Sequence, residues 1–315
     1  MKISIIGTGM IATEVIKMLR NEAKGIEITS IFSHSNKEKA LTLAKENDID
    51  HVYTDYAQLL KEDDADFVYI ALVNNAHYTY VQQALEAQRN VIVEKPFTST
   101  LEEAKLLAQM ALERGLYLFE AVTPLHTPNF QLVKQSLKRI APIHFAQCNF
   151  SQYSSRYERY LQGDIAPAFN PELGGGALND LNVYNINIIV GLFGEPIANQ
   201  YFANHGHNGV DTSGIMVLTY PNLTASCVAA KDSSSPSFTL IQGEKGWVRI
   251  PTTANEFGKV EIMEQGKLTS YQRNAYESRL AHEVMDFKDI WEQKDYKRME
   301  EWLDISLTVM KVLRS

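Results

Sequence analysis

Cysteine is nearly absent from this chain: there are two, Cys148 and Cys227, among 315 residues. They lie far apart in sequence and make no metal-ligand spacing. Both are expected to be buried thiols in a reducing cytoplasm. His205-Gly206-His207 has no third Cys, His or carboxylate nearby, so an ordinary loop is expected there and no metal centre. Long Lys/Arg runs are missing and the formal net charge is −8, which leaves out the electrostatic footprint of a nucleic-acid binder. No uninterrupted apolar stretch is long enough to span a bilayer. The first residues pass straight into a strand-like run and then Gly7, without the longer apolar segment and small-residue cleavage site of a signal peptide. Internal repeats and low-complexity segments are absent as well. What remains is an ordinary globular composition, 45% hydrophobic and 22% charged, at a length that suits two domains.

The first half of the chain alternates. Strand-like runs at 2–6, 27–32, 67–72, 90–93 and 117–119 are apolar almost throughout, as strands covered on both faces should be. Helix-like runs between them, at 11–20, 37–46, 77–87 and 101–114, carry apolar residues three and four apart. This alternation predicts a Rossmann-type, doubly wound α/β fold with a parallel sheet and right-handed crossovers. One of Thr98, Ser99 and Thr100 is expected to cap the last of these helices, and Gly115 to end it.

Beyond Thr123 the pattern changes. A short helical stretch punctuated by prolines precedes a strand at 144–150, a polar and aromatic loop at 151–173 and a helix at 178–192. Then come six strand candidates, at 200–204, 214–220, 224–230, 238–241, 247–250 and 260–264, and two helices at 278–292 and 297–313. Successive strands without helices between them imply a mostly antiparallel open sheet in a C-terminal α/β domain. The expected domains are 1–122, for a dinucleotide, and 123–315, for substrate binding and dimerisation.

Gly7-Thr8-Gly9-Met10-Ile11-Ala12 follows the first strand and opens the first helix, as the phosphate-binding turn of a dinucleotide fold does. Gly7 permits the tight turn, Gly9 leaves room for pyrophosphate, and Ala12 lets the helix pack closely. Thr8, Met10 and Ile11 complete the expected cofactor contacts at the helix N-terminus. No Asp or Glu ends the second strand, where an NAD site usually places one for the ribose 2′-hydroxyl. Ser33, His34, Ser35 and Lys37 stand there instead and suit a 2′-phosphate, so NADP is expected, with NAD as the alternative. The bland reading is that these residues only begin the next helix. Asn74 and His77 follow another strand end and are candidates for cofactor contact, against helix capping.

The most informative turn is Glu94-Lys95-Pro96, which ends the apolar run Val91-Ile92-Val93. Proline removes a donor and pushes the residue before it toward extended geometry, so Lys95 is expected to be aimed at a ligand, with a cis Lys95–Pro96 bond. Glu94 is expected beside the cofactor or orienting Lys95. The bland reading is a surface turn with a solvated lysine. The second dense segment is Gly174-Gly175-Gly176-Ala177-Leu178-Asn179-Asp180-Leu181-Asn182-Val183-Tyr184. Asp180 and Tyr184 are four apart and share one face of an α-helix. A phenol acting as a base near neutrality needs a cation beside it. Lys95 is the expected cation, provided the two segments meet across a cleft. Taken alone, Asp180 and Tyr184 also read as a capping carboxylate and a half-buried aromatic.

Together, the glycine turn, Asn74-x-x-His77, Glu94-Lys95-Pro96 and the Gly-Gly-Gly-x-Leu-x-Asp segment resemble the Gfo/Idh/MocA family of NAD(P)-dependent oxidoreductases over nearly the whole chain. Tyrosine at 184, with Glu120-Ala121 and Pro128, resembles the branch of dihydrodiol and xylose dehydrogenases and glucose–fructose oxidoreductase. The resemblance implies Lys95 as catalytic lysine, Tyr184 as acid–base residue and Asp180 as support for substrate or for that residue. It implies hydride transfer between nicotinamide and a carbinol or carbonyl carbon of a sugar, polyol or dihydrodiol, in a homodimer or higher homo-oligomer assembled through the open sheet. Asn182 departs from the glycine many members carry there. In the loop, Tyr153, Arg156, Tyr157, Arg159 and Tyr160 are candidate substrate contacts, Arg156 and Tyr157 foremost, against a surface loop packed by its own aromatics. The rival function is a dinucleotide-binding sensor or regulator without turnover.

Overall fold

The computed structural model describes residues 1–314 and divides them into two compact units, 1–121 with 276–307, and 122–275 with 308–314. In the first unit, the strands are β1 (Lys2–Ile6), β2 (Glu27–Phe32), β3 (His51–Tyr53), β4 (Phe67–Ile70), β5 (Asn90–Glu94) and β6 (Leu118–Ala121). The helices are α1 (Met10–Asn21), α2 (Lys37–Glu46), α3 (Tyr56–Glu62), α4 (His77–Glu86) and α5 (Leu101–Arg114). All six strands are parallel, in the order β3-β2-β1-β4-β5-β6. The order reverses between β1 and β4, the switch point where open α/β sheets bind ligands beyond the strands' carboxyl ends.

The strands are apolar because both faces are covered. Every residue of β4 and β6 is buried. Thr100 caps α5 through a full capping box with Glu103, and Gly115 closes the helix at φ 64°. Two elements of this unit escaped the sequence reading. Three-residue β3 is too short and too exposed to show a pattern, and α3 is announced only by its Asp55 cap.

The second unit holds α6 (Pro128–Ile140), β7 (Ile143–Ser151), α7 (Tyr157–Leu161), α8 (Val183–Phe193), β8 (Ala198–His205), β9 (Asp211–Thr219), β10 (Thr224–Ala230), β11 (Phe238–Gly243), β12 (Gly246–Ile250), β13 (Val260–Glu264) and β14 (Lys267–Tyr271). They form an eight-stranded sheet, β14-β13-β12-β11-β7-β10-β9-β8, antiparallel except for the β7–β10 pair. The in–out alternation of β9, and of β10 as far as Ala229, marks one covered face and one open face. β14, Lys-Leu-Thr-Ser-Tyr, is an edge strand with no buried residue, which is why no apolar run betrays it. Cys148 and Cys227 are both free and fully buried, and they are register partners across β7 and β10.

The C-terminal helices are α9 (Ala281–Glu292) and α10 (Tyr296–Leu313). Residues 276–307 were expected with the second domain, but they belong to the first unit. Aromatic packing accounts for it. Phe287 stacks on Phe119 at 4.4 Å, Trp291 meets Phe67 edge-on at 5.9 Å, and Tyr296 stacks on Tyr117 at 4.5 Å. No helix among the described residues is long and apolar enough to cross a membrane.

Candidate functional site

The glycine turn of the first unit is built for an anion. Gly7 has φ 121°, and a Cβ there would lie 2.4 Å from the Ala71 carbonyl oxygen, so only glycine lets β1 turn against the end of β4. Gly9 is the N-cap of α1, and a Cβ on it would meet nothing within 4 Å. Unobstructed space at a helix N-terminus with orphan amides fits a pyrophosphate. Met10 and Ile11 open that helix, with Met10 exposed. Past β2, the Ser33 hydroxyl accepts from the Asn36 amide at 3.2 Å and Asn36 caps α2. Ser33 is therefore buried and engaged, whereas His34, Ser35 and Lys37 are exposed around the start of α2.

His77 and Glu94, both expected against the cofactor, are turned inward. His77 is fully buried, with Nδ1 2.9 Å from the Pro96 carbonyl oxygen and Nε2 3.3 Å from that of Leu72. Burial is the main influence on its pKa and holds it below the ordinary histidine value. Its ring ties the end of β4 to the turn after β5, so its role is to hold Lys95's turn in place. Glu94 is buried and its Oε1 accepts from the Tyr69 hydroxyl at 2.8 Å. Burial raises its pKa, against the opposing pull of Tyr69 and Lys95. Asn74 begins a single 3₁₀ turn, Asn74–Ala76, after β4, where a cofactor contact was expected. The Lys95–Pro96 peptide is cis, as the sequence led us to expect.

Two carboxyls that sequence reasoning did not place join this floor. Glu120 is the penultimate residue of β6, and burial pushes its pKa up to about 7. Glu283 of α9 is fully buried and held well above the ordinary carboxylate range by burial and by the charge of Glu94. Nothing local in the sequence marks Glu283. Glu120 does follow an apolar strand run in the manner of Glu94.

In the second unit, Gly176 has φ 121° and lies so close to Asp211 that a Cβ would fall 1.9 Å from Oδ1. Asp211 Oδ2 accepts from the Leu178 amide and from the Tyr201 hydroxyl, both at 2.7 Å. Burial nonetheless raises the Asp211 pKa. Residues Leu178–Asn182 wind as a π turn and not as the first turn of an α-helix, so the α-helical face expected to join Asp180 to Tyr184 begins only at Val183. Asn182, whose departure from glycine stood out, is fully buried and anchors the wide turn: its Nδ2 donates to the Cys227 carbonyl at 2.9 Å. Asn185 does the same to Val228, also at 2.9 Å. Asp180 Oδ2 accepts from the Lys231 ammonium at 2.9 Å. Tyr184 is 6% exposed, beside Phe150.

Lys231 was missed, and a signal for it exists. Ala225, Cys227 and Ala229 are the inward positions of β10, and Lys231 continues the same parity one step past the strand. The aromatic loop divides. Tyr160 is fully buried between Phe169 and His207, Arg159 pairs with Asp164, and Tyr153 bonds Glu158. Arg156 and Tyr157 are the two left half-buried, without an ion pair or side-chain hydrogen bond among the described residues. Lys95 belongs to the first unit, and Asp180 and Tyr184 to the second.

Comparison with known proteins agrees with both halves. Residues 1–122 match the oxidoreductase family with an NAD-binding Rossmann fold, and residues 130–249 match the GFO/IDH/MocA C-terminal domain. The chain is 30% identical over 316 aligned positions to scyllo-inositol 2-dehydrogenase (NADP(+)) IolU of Bacillus subtilis, covering 99% of this chain and 94% of that one. It is 34% identical over 245 positions to the uncharacterized oxidoreductase YgjR of Escherichia coli, covering 78% and 74%. Among solved structures, the 3-ketoreductase KijD10 of Actinomadura kijaniata, in complex with NADP and TDP-benzene, superposes with a TM-score of 0.83 at 25% identity, covering 98% and 94%. Aldose-aldose oxidoreductase of Caulobacter crescentus shares the fold at a TM-score of 0.83 and 19% identity, covering 99% and 96%. Family matches over both units and a relative aligned from end to end leave one conclusion: the chain belongs to the Gfo/Idh/MocA family of NAD(P)-dependent oxidoreductases.

Proposed function

We propose that this protein is an NADP-preferring dehydrogenase or reductase that interconverts a secondary alcohol and its ketone on a sugar, polyol or dihydrodiol. The observation that carries this reading is the placement of Lys95. It follows directly on β5, at the carboxyl end of a parallel sheet with the dinucleotide strand order, in a turn held from below by His77 and Glu94. The similarity to an NADP(+)-dependent inositol dehydrogenase over 99% of the chain supports the substrate class.

Gly7, Thr8, Gly9, Met10 and Ile11 hold the dinucleotide phosphates, Asn74 faces the nicotinamide ribose, and His34, Ser35 and Lys37 take a 2′-phosphate. When bound, the nicotinamide gives or accepts the hydride at its C4. In the oxidising direction Tyr184 takes the hydroxyl proton, and Lys95 stabilises the phenolate and the developing alkoxide. Asp180 accepts a hydrogen bond from a substrate hydroxyl. Arg156 and Tyr157 contact the substrate at the edge of the loop.

The test is a panel of inositols, aldoses, polyols and dihydrodiols with NADP⁺ and NAD⁺, then Lys95→Met and Tyr184→Phe on the best substrate. Each is expected to lower kcat by about 10²–10⁴-fold, the usual worth of a proton-transfer group. Near-normal turnover in either would exclude the assignment.

The same reading places the enzyme in the cytoplasm and makes it a homodimer through the open face of the second sheet. Phe202 and Ile215 are exposed register partners on β8 and β9, and Val228 follows them on β10. Such a contiguous apolar row is uncommon on a monomer. Light scattering after Phe202→Asp with Ile215→Asp is expected to show a monomer.

A further inference from the structure

Lys231 is an unusual place for a cation. Its side chain is 3% exposed, just past the end of β10, in the one parallel strand pair of the second sheet. A lysine is almost never fully buried unless paired. Its ammonium donates to Asp180 Oδ2 at 2.9 Å and to the Ala168 carbonyl, and it stands 4.5 Å from the centre of the Phe169 ring. Asp180 by contrast is 40% exposed. One end of the pair is therefore sealed in the protein and the other reaches outward.

We propose that Lys231 is a positioning residue for hydride transfer, one that keeps Asp180 ionised and turned outward as a hydrogen-bond acceptor for a substrate hydroxyl. The inference rests on the role given to Asp180 under the proposed function. The rest of the frame has the same purpose. Asp211 fixes the start of the π turn at Leu178, and Asn182 fixes its end to β10. Lys231 thus acts between two anchored points, and the wide turn lifts Asp180 out of an α-helical register. The charged and titratable groups around this turn are Lys231, Asp211, Tyr201, Asp232 and Arg314, with Tyr184 on α8. Among these, Lys231 donates directly to Asp180. Arg314 donates to Asn179 Oδ1 at 3.0 Å. An Asp180 held as the anion is not a proton donor, which leaves the acid–base step to Tyr184.

The test pairs a substrate-free measurement with kinetics. Aspartate labelled with ¹³C at the side-chain carboxyl, with the Asp180 signal assigned by its loss in Asp180→Asn, reports the titration of that group in the intact enzyme. Asp180 is expected to stay ionised to lower pH than exposed aspartates. Titration at or above the ordinary value overturns the proposal, and this measurement needs no variant of Lys231. Lys231→Met is expected to move the Asp180 titration and the acid limb of kcat/KM together to higher pH. It should also lower kcat/KM by about 10²-fold, as a misplaced reacting group does. Lys231→Arg should restore both limbs. A folded Lys231→Met enzyme with neither limb moved also overturns it. Full turnover by Asp180→Asn on every substrate would instead remove the proposed substrate contact and leave the ionised pair standing.

Discussion

Tyr69 and Glu94 meet inside the first sheet: the Tyr69 hydroxyl, fully buried on β4, donates to Glu94 Oε1 at 2.8 Å on the neighbouring strand β5. The residue after Glu94 is Lys95, so this bond fixes the last inward side chain before the turn. Burial raises both groups' pKa values, which keeps the phenol a donor. Removing the donor leaves a buried acceptor unsatisfied, at a cost of roughly 1–3 kcal/mol. Tyr69→Phe is expected to lower unfolding stability by that amount in urea. Tyr69→Phe with Glu94→Gln should cost less than the sum of the single changes, because the pair is coupled. Additive losses would mean that the bond contributes nothing of its own.

Two other buried groups in this unit give stability slopes of opposite sign with pH. Glu120 has an ordinary pKa of 4.5 and a folded-state value of about 7. Between those values the unfolded chain releases its proton and the folded chain keeps it, so stability falls as pH rises. The gap corresponds to roughly 3 kcal/mol. Glu120→Gln should therefore gain little stability at pH 4 and up to about 3 kcal/mol at pH 8. His77 works the other way. Burial depresses its pKa below the ordinary 6.5, so the unfolded chain takes up a proton first as pH falls, and stability drops below that value. His77→Gln should flatten that acid-side loss while weakening the hold on Pro96. Thermal midpoints from pH 4 to 8 separate the two slopes.

How much of this was legible beforehand follows from the range of each interaction. The glycine turn, the α5 capping box and the strand end at Glu94 are written within a few consecutive residues. Local chemistry decides them: one of Thr98, Ser99 and Thr100 was expected to cap α5, and Thr100 does. Glu283 sits 189 positions after Glu94, and its burial depends on where α9 packs, which no local pattern records. The π turn was hidden for a similar reason. The spacing of Asp180 and Tyr184 looks α-helical, but Asn182 is drawn to the backbone of β10, 45 residues away. Lys231 lies between these cases, since its inward parity was visible but its partner was not.

Gly176 tests the packing of the segment that leads to Asp180 and Tyr184. Its φ of 121° strains any L side chain, and a Cβ would also collide with Asp211 Oδ1. The backbone strain alone costs of order 1–3 kcal/mol. Gly176→Ala should lose at least that much stability and most activity. Combining it with Asp211→Ala relieves the collision and leaves the strain, so only part of the loss should return. Full recovery in the double variant, measured by urea unfolding, would show that φ at this position carries no cost.

The proposed 2′-phosphate contacts lie at the start of α2. Lys37 is its first residue and is exposed, with His34 and Ser35 exposed before it. No carboxylate stands at this strand end, although Glu38 follows within the helix. A hydrogen bond from a charged donor contributes roughly 1.5–3 kcal/mol, or about 10–150-fold in affinity. Lys37→Glu should therefore weaken NADPH binding by about that factor, through loss of the cation and repulsion of the 2′-phosphate, while changing NADH binding little. Fluorescence titration of the two cofactors against wild type and variant measures this directly. Equal losses for both cofactors would place Lys37 away from the 2′-phosphate and return the preference for NADP to His34 and Ser35.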